Sequence, residues 1–281
     1  MTHTRRELTA LLEAHDLGPS RALGQNFVVD PNTVRRIARL AGVGPGDHVI
    51  EVGPGLGSLT LALAETGAAV TALEMDRHLV PVLREVVADR PVRVVQGDAM
   101  AVDWDDLLAG ADRWVLVANL PYNVATPLVL DLLAGVPAIE RMLVMVQREA
   151  GERLAAGPGS GTYGIPSVKV ALRATARLVG RVGPDVFLPR PRVESALVEV
   201  VRRSEPATSA DPDRLVALVE RAFNQRRKML RRSLAGIAGP EAFAEAGIDP
   251  ADRPERLSVQ DWGRLTDAVA HHPPGGGTTD P

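Results

Sequence analysis

The sequence predicts an α/β chain, with a parallel sheet and crossover helices over its first two-thirds and a small all-α domain after it. Three observations carry this. Short apolar runs alternate with helical patterns up to about residue 200. The stretch "RRSEPATSADP" (202–212) is polar, holds two prolines and lacks periodicity, so it reads as a linker. Everything patterned beyond it is helical. The boundaries drawn are 1–203 for the α/β domain, 204–270 for the helical domain and 271–281, "HHPPGGGTTDP", for a disordered tail.

Each element has a local reason. An opening helix covers about residues 4–15. A second has Asp30 as N-cap and Pro31 in its first position, and ends near Gly42. Strand-like runs follow at "HVIEV" (48–52), "AVTALE" (69–74), "VRVVQ" (92–96), "WVLVAN" (114–119) and "RMLVMVQ" (141–147). Helical stretches lie between them, around 58–66, 76–88, 103–109 and 124–134. "VKVALRATARLV" (168–179) and "ESALVEVV" (194–201) read as strands completing the sheet. After the linker one helix begins with Asp211 as N-cap and Pro212 behind it. The last begins at Ser258, with Asp261 as its capping-box partner.

The 281 residues include no cysteine, which rules out disulfides, iron–sulfur clusters and thiolate zinc sites and fits a reducing cytoplasm. The charged, amphipathic start "MTHTRRELTALLEAHD" reads as neither secretory signal nor membrane span. The histidines are scattered, so no metal site is expected. A formal charge of −3 does not advertise a polyanion partner, but its distribution is uneven. "RAFNQRRKMLRR" (221–232) carries Arg221, Arg226, Arg227, Lys228, Arg231 and Arg232 with no acid, and reads as one basic helix. A second stretch carries Arg173, Arg177, Arg181, Arg190 and Arg192, diluted by Asp185. Either could face a polyanion or be a solvated face.

"VIEVGPGLGSLTLAL" (49–63) joins a buried strand to a helix through Gly53, Gly55 and Gly57. Glycines permit positive φ and close approach of a ligand to the backbone at a helix N-terminus. No Gly-Lys-Ser/Thr follows, so this is not a P-loop, and Gly57 comes one place too early for a dinucleotide fingerprint. Glu74 ends the second strand, 21 residues after Gly53, where an acid meets ribose hydroxyls in nucleoside-binding α/β folds. Asp98 ends the third, where a carboxylate can accept from an adenine amino group. Singly, each acid reads as well as a helix cap. Together, with Glu51 just before the loop, they form the pattern of an S-adenosylmethionine site in a Rossmann-like domain of the class I methyltransferases.

The fourth strand ends in "NLPY" (119–122), and similar stretches end this strand in amino-methyltransferases. An exocyclic amino nitrogen is a poor nucleophile because its lone pair is delocalised into the ring. Acceptors on the Asn119 side chain and the Leu120 carbonyl can each take one amino hydrogen, which favours a pyramidal nitrogen. Pro121 stiffens the turn, and the ring of Tyr122 offers a stacking face for a flipped base. A sulfonium is an excellent leaving group, so the work is orientation and electrostatics and needs no strong base.

Six stretches, "LGQNFVVD" (23–30), "EVGPGLG", "LEMD", "GDAM", "ANLPYNVATP" and "FLPRPRVESALV" (187–198), occur in the order found in the ribosomal RNA adenine dimethylase family, which the chain resembles from about residue 20 to 235. "RAFNQRRKMLRRSL" is similar to the second-domain helix of its KsgA (RsmA) branch, the small-subunit dimethyladenosine transferases. The resemblance implies S-adenosyl-L-methionine as cofactor, held by Asn26, Val28, Gly53, Gly55, Glu74, Asp98 and Asn119. It implies that Phe187 stacks on the target adenine opposite Tyr122, with Pro189 and Pro191 stiffening its loop. The implied substrate is a pair of adjacent adenosines near the 3′ end of 16S rRNA in the small subunit, each gaining two methyls during ribosome biogenesis. RNA contacts would come from Arg221, Arg226, Arg227, Lys228 and Arg231 of a cytoplasmic monomer that engages neither DNA nor membrane. One departure is Pro166, where the family usually has leucine; it is expected to alter a strand start. Three alternatives stay open: a large-subunit enzyme conferring macrolide resistance, a DNA adenine methyltransferase (disfavoured by leucine at 120), and a binding factor that monitors ribosome assembly.

Overall fold

The computed structural model describes residues 2–273. The chain opens with α1 (Arg5–Ala14), started by a capping box in which Thr4 and Glu7 satisfy each other's backbone N–H. A short strand, β1 (Phe27–Val28), leads into α2 (Pro31–Ala41). There Asp30 accepts from the N–H of Thr33 and Gly42 ends the helix in the left-handed region, as the sequence predicts.

Strands β2 (His48–Val52), β3 (Ala69–Glu74), β4 (Val92–Gln96) and β5 (Trp114–Asn119) coincide with the predicted runs, and β6 (Ile139–Gln147) begins two residues early. The crossovers α3 (Ser58–Ala64), α4 (Leu79–Val86), α5 (Trp104–Leu108) and α6 (Ala125–Gly135) lie close to their predicted stretches. Next come α7 (Arg148–Leu154), α8 (Ile165–Arg173), β7 (Ala174–Val182), β8 (Phe187–Leu188) and β9 (Ser195–Arg202). The sheet order is β4-β3-β2-β5-β6-β9-β7. The first five strands are mutually parallel and β9 runs antiparallel to β6, while β1 and β8 form a separate antiparallel pair. Strand order reverses between β2 and β5, and the crevice beyond the carboxyl ends of strands at such a reversal is where open α/β sheets take ligands. Val34, Ile37, Ala41, Leu59 and Leu63 of α2 and α3 pack on Val49, Val70, Val117 and Leu143 of the sheet, and this packing holds those strand ends in place.

The chain packs as two compact units. One contains residues up to Glu152 together with Ala176–Arg202; the other contains Arg153–Thr175 together with the chain from Arg203 onward. The expected cut at 203/204 is therefore incomplete, because residues 153–175 belong with the helical unit. The same segment corrects the strand expected at 168–179: residues 165–173 are helix, and only from Ala174 is the chain extended. The alternation of Val168, Val170 and Leu172 imitates a strand. Val168 and Leu172, four apart on a helix, instead bury with Tyr163 against Leu215, Trp262 and Phe243. Pro166 sits in the first turn of α8, where its missing N–H would have no intrahelical partner, so it does not alter a strand start.

The helical unit continues with α9 (Pro212–Phe223), α10 (Leu230–Ser233), α11 (Pro240–Ala246) and α12 (Val259–His271). The Asp211 cap and the Ser258–Asp261 capping box form as predicted. The basic stretch 221–232 is not one helix: α9 stops at Phe223, residues 224–229 turn, and α10 is four residues long. Arg202, expected in the linker, ends β9, and its guanidinium donates to the carbonyls of Leu132, Leu133 and Val136 at the end of α6. The expected tail begins with the last residue of α12, and 274–281 lie outside the described residues. Among the described residues no helix is long and apolar enough to cross a membrane.

Candidate active site

At the carboxyl ends of β2, β3, β4 and β5 lies a cavity of about 270 Å³. Its floor is the turn from β2 to α3, where Gly53, Gly55 and Gly57 have φ of 70°, 59° and 82°. The requirement for glycine is sharpest at Gly55, where a Cβ would stand 2.8 Å from the ring of Phe27. No side chain fits there without moving the aromatic wall.

The three acids converge on this floor. Glu74 is 5 % exposed. One carboxylate oxygen accepts from the N–H of Gly55 at 2.9 Å and the other from the N–H of Asp76 at 2.8 Å. Burial raises its pKa against the pull of those N–H donors. Each oxygen keeps a lone pair for a ligand hydroxyl. Glu51 is 1 % exposed, and burial pushes its pKa up to about 8, with the Thr60 hydroxyl opposing and the Glu74 charge adding. It therefore carries a proton at neutral pH, and its Oε2 is buried without a hydrogen-bond partner among the described residues. Glu51 lines the same cavity, so this unmatched oxygen belongs to the wall where a bound group would lie. Asp98 lies in the wall with one oxygen accepting from the N–H of Met100 at 2.9 Å, so it also caps a turn.

The fourth wall is the end of β5. The Nδ2 of Asn119 donates to the carbonyl of Asn26 at 2.9 Å, which leaves its Oδ1 as an acceptor. The N–H of Leu120 donates to Met145, and the Pro121 carbonyl accepts from Val124 and Ala125, so the turn passes directly into α6. The Tyr122 hydroxyl and the Ser195 Oγ share a hydrogen bond of 2.9 Å. Burial raises the Tyr122 pKa, with the Ser195 bond opposing, so it stays a neutral phenol at physiological pH.

Asn26 and Val28 also line the cavity, as the sequence reading expects. Phe187 does not. It is 0 % exposed, pairs across β8 with Val28 of β1, and belongs to the core with Val34, Ile37 and Leu197. The aromatic rings that line the cavity are those of Tyr122 and Phe27. A strand of two residues gives no alternation from which its inward face could be read. Among the wall residues that sequence reasoning missed are Phe27, Ser58, Met75 and Met100. The two methionines follow strand-end acids and are 53 % and 44 % exposed, an unusual setting for so apolar a side chain.

In the helical unit Arg221, Arg227, Lys228, Arg231 and Arg232 are exposed. Arg226 is not free: it donates to the Gly161 carbonyl at 2.9 Å and lies 3.8 Å from the Glu255 carboxylate. In the second stretch Arg177 pairs with Glu199 at 2.6 Å and Arg190 with Asp185 at 3.0 Å. Among the described residues no cluster of three or more acidic or histidine side chains is placed to hold a metal ion.

Comparison with known proteins places this architecture. The sequence matches the family described as Ribosomal RNA adenine dimethylase over residues 20–271. It is 49% identical to "Ribosomal RNA small subunit methyltransferase A" of Kineococcus radiotolerans, with 98% of this chain and 96% of that protein covered. It is 51% identical to the protein of that name from Streptomyces coelicolor, with 93% and 94% covered. Among solved structures, that of 23S rRNA methyltransferase ErmE superposes with a TM-score of 0.67 at 27% identity, covering 87% of this chain and 99% of that one. With the family matched across almost the whole chain and the cavity built from its motif residues, this chain belongs to the ribosomal RNA adenine dimethylase family.

Proposed function

We propose that the chain transfers methyl groups from S-adenosyl-L-methionine to the exocyclic amino groups of two adjacent adenosines near the 3′ end of 16S rRNA, within the small subunit and in the cytoplasm. The observation that carries this reading is the Asn119 amide at the cavity wall, whose Nδ2 donates to the Asn26 carbonyl and which thereby keeps its oxygen as an acceptor.

The residues present fit the cofactor. Glu74 supplies acceptors for ribose hydroxyls, Asp98 an acceptor for an adenine amino group, and Met75 and Met100 the apolar walls for a purine. Gly53 and Gly55 let the backbone approach closely, and the unmatched Oε2 of Glu51 offers a polar contact at the floor. When bound, the cofactor supplies an electrophilic methyl on a sulfonium.

The remaining work belongs to the chain. Asn119 Oδ1 and the Leu120 carbonyl each take one hydrogen of the target amino group and bring its lone pair out of conjugation. Tyr122, held through its hydroxyl by Ser195, offers a ring for the flipped base. Pro121 and the start of α6 keep these groups rigid, so orientation is prepaid before the base arrives. Exposed Arg221, Arg227, Lys228 and Arg231 would hold rRNA phosphates, which positions the substrate without reading its sequence. The small-subunit assignment is favoured over a large-subunit one because relatives near 50% identity carry the small-subunit name, whereas ErmE stands at 27%.

The test is direct. The purified protein is incubated with radiolabelled S-adenosylmethionine and small subunits lacking these methylations, and the labelled nucleosides are identified. Label in dimethyladenosine from the 3′ end supports the proposal. Label confined to large-subunit rRNA or DNA overturns the substrate, and bound cofactor without label anywhere favours an assembly-binding role.

A further inference from the structure

The segment before β1 does more than border the cavity. Residues 22–28 line it continuously, and the segment is fastened at both ends of the site. At one end the Asn26 carbonyl accepts from Asn119 Nδ2 at 2.9 Å. At the other the Gln25 side chain makes two bonds: its Oε1 accepts from the N–H of Ser20 at 2.8 Å, and its Nε2 donates to the Asp76 carboxylate at 2.9 Å. Asp76 is fixed in turn, since its other oxygen accepts from the N–H of His78 and its own N–H donates to Glu74. Immediately before the two fastenings Gly24, at φ 63°, passes so close to the catalytic turn that a Cβ would meet Asn123 Oδ1 at 3.3 Å and the Pro121 ring at 3.4 Å.

This matters because an asparagine amide can present either face. An NH2 group directed at the amino nitrogen of adenine would set donor against donor. The Asn26 carbonyl forbids that orientation, since turning the amide would bring Oδ1 against a carbonyl oxygen. We propose that Gln25 and Asp76 are positioning residues for methyl transfer: their bond latches segment 20–28 across the cavity and so holds Asn26 where it commits Asn119 to its acceptor orientation. The inference rests on the function proposed above. It assigns a role to two residues that need touch neither the cofactor nor the base.

The latch can be reversed in polarity. Gln25→Glu sets a carboxylate against Asp76 and opens the latch. Adding Asp76→Asn restores a complementary pair, in which the new carboxylate accepts from Ser20 and from the new amide while the amide oxygen still serves His78. Single-turnover methylation of unmethylated small subunits, binding of S-adenosylhomocysteine by calorimetry, and hydrogen exchange of the 20–28 amides are measured for both variants. The expected result for Gln25→Glu is a drop of about tenfold or more in the single-turnover rate, the scale of a misplaced catalytic group. Its product affinity should change much less, and exchange at 20–28 should rise. The double variant recovers both rate and protection. An unchanged rate in Gln25→Glu, an equal loss of affinity, or no recovery in the double variant would overturn the latch. Hydrogen exchange is read without activity, so a wild-type protein inert on small subunits would defeat the proposed substrate alone, while unaltered exchange would defeat the latch alone.

Discussion

At the residue scale the site works through groups whose partners leave them a single option. Asn119 donates through Nδ2 to the Asn26 carbonyl and keeps Oδ1 as an acceptor, so Asn119→Ala removes that acceptor together with one fastening of the segment before β1. The expected loss in methyl transfer is roughly 100- to 1,000-fold, the range for deleting one preorganised hydrogen-bonding group from an active site. Affinity for S-adenosylhomocysteine should stay within a few-fold; a large loss by calorimetry would show that Asn119 mainly binds the cofactor. Glu51 gives a pH signature. Its folded pKa, about 8, lies above the ordinary carboxyl value of 4.5, so the folded state holds the proton more tightly than the unfolded chain. That contribution is fully present below about pH 4.5 and is lost as pH rises through 8. Melting temperature should therefore fall with pH across this window more steeply in the wild type than in Glu51→Gln. Equal slopes would mean that Glu51 is ionised in the folded protein. Glu74, raised for the same reason, contributes a slope of the same sign in both.

At the element scale the glycine turn and α8 are the informative pieces. Gly55→Ala must accept a left-handed backbone and a Cβ 2.8 Å from Phe27. We expect a destabilisation of about 1–3 kcal/mol from the backbone strain, together with weakened cofactor binding, read by chemical denaturation and calorimetry. Pro166→Leu tests where α8 begins. In the first turn of a helix the proline has no N–H to forfeit, so the substitution should shift stability by less than about 0.5 kcal/mol. A large gain would point instead to a strand freed of its proline. These two elements also show what sequence conveys. Gly53, Gly55 and Gly57 were readable because spacing and strand context agree on one turn. Residues 168–173 were not, because their apolar positions satisfy both a period of two and an i,i+4 pair, and only contact with Tyr163 and Trp262 decides between them.

For the whole molecule, charge placement matters more than net charge. A formal −3 hides a helical unit that presents Arg221, Arg227, Lys228, Arg231 and Arg232 to solvent. Replacing Arg227, Lys228 and Arg231 by alanine should weaken small-subunit binding and flatten the slope of log K against log salt by about one per lost phosphate contact. Folding stability should hardly change. Arg226→Ala should do the opposite, destabilising the loop it ties through Gly161 with little change in salt slope. An unchanged slope in the triple variant would mean that this surface faces away from RNA.

The sequence by itself determined the parallel sheet, the caps that start α2, α9 and α12, the glycine turn with its three acids, and the Asn-Leu-Pro-Tyr end of β5. All of these rest on short-range chemistry: periodicity, caps, positive φ, and residues that must follow a strand end. Tertiary structure alone decided that 153–175 joins the helical unit, that Phe187 belongs to the core, that Arg226 is tied down, and that Asn26 sets the amide of Asn119. Each of these depends on a partner far away in the chain, as Asn26 is from Asn119. Local sequence states what a side chain can do, and the fold selects which of those options its distant neighbours leave open.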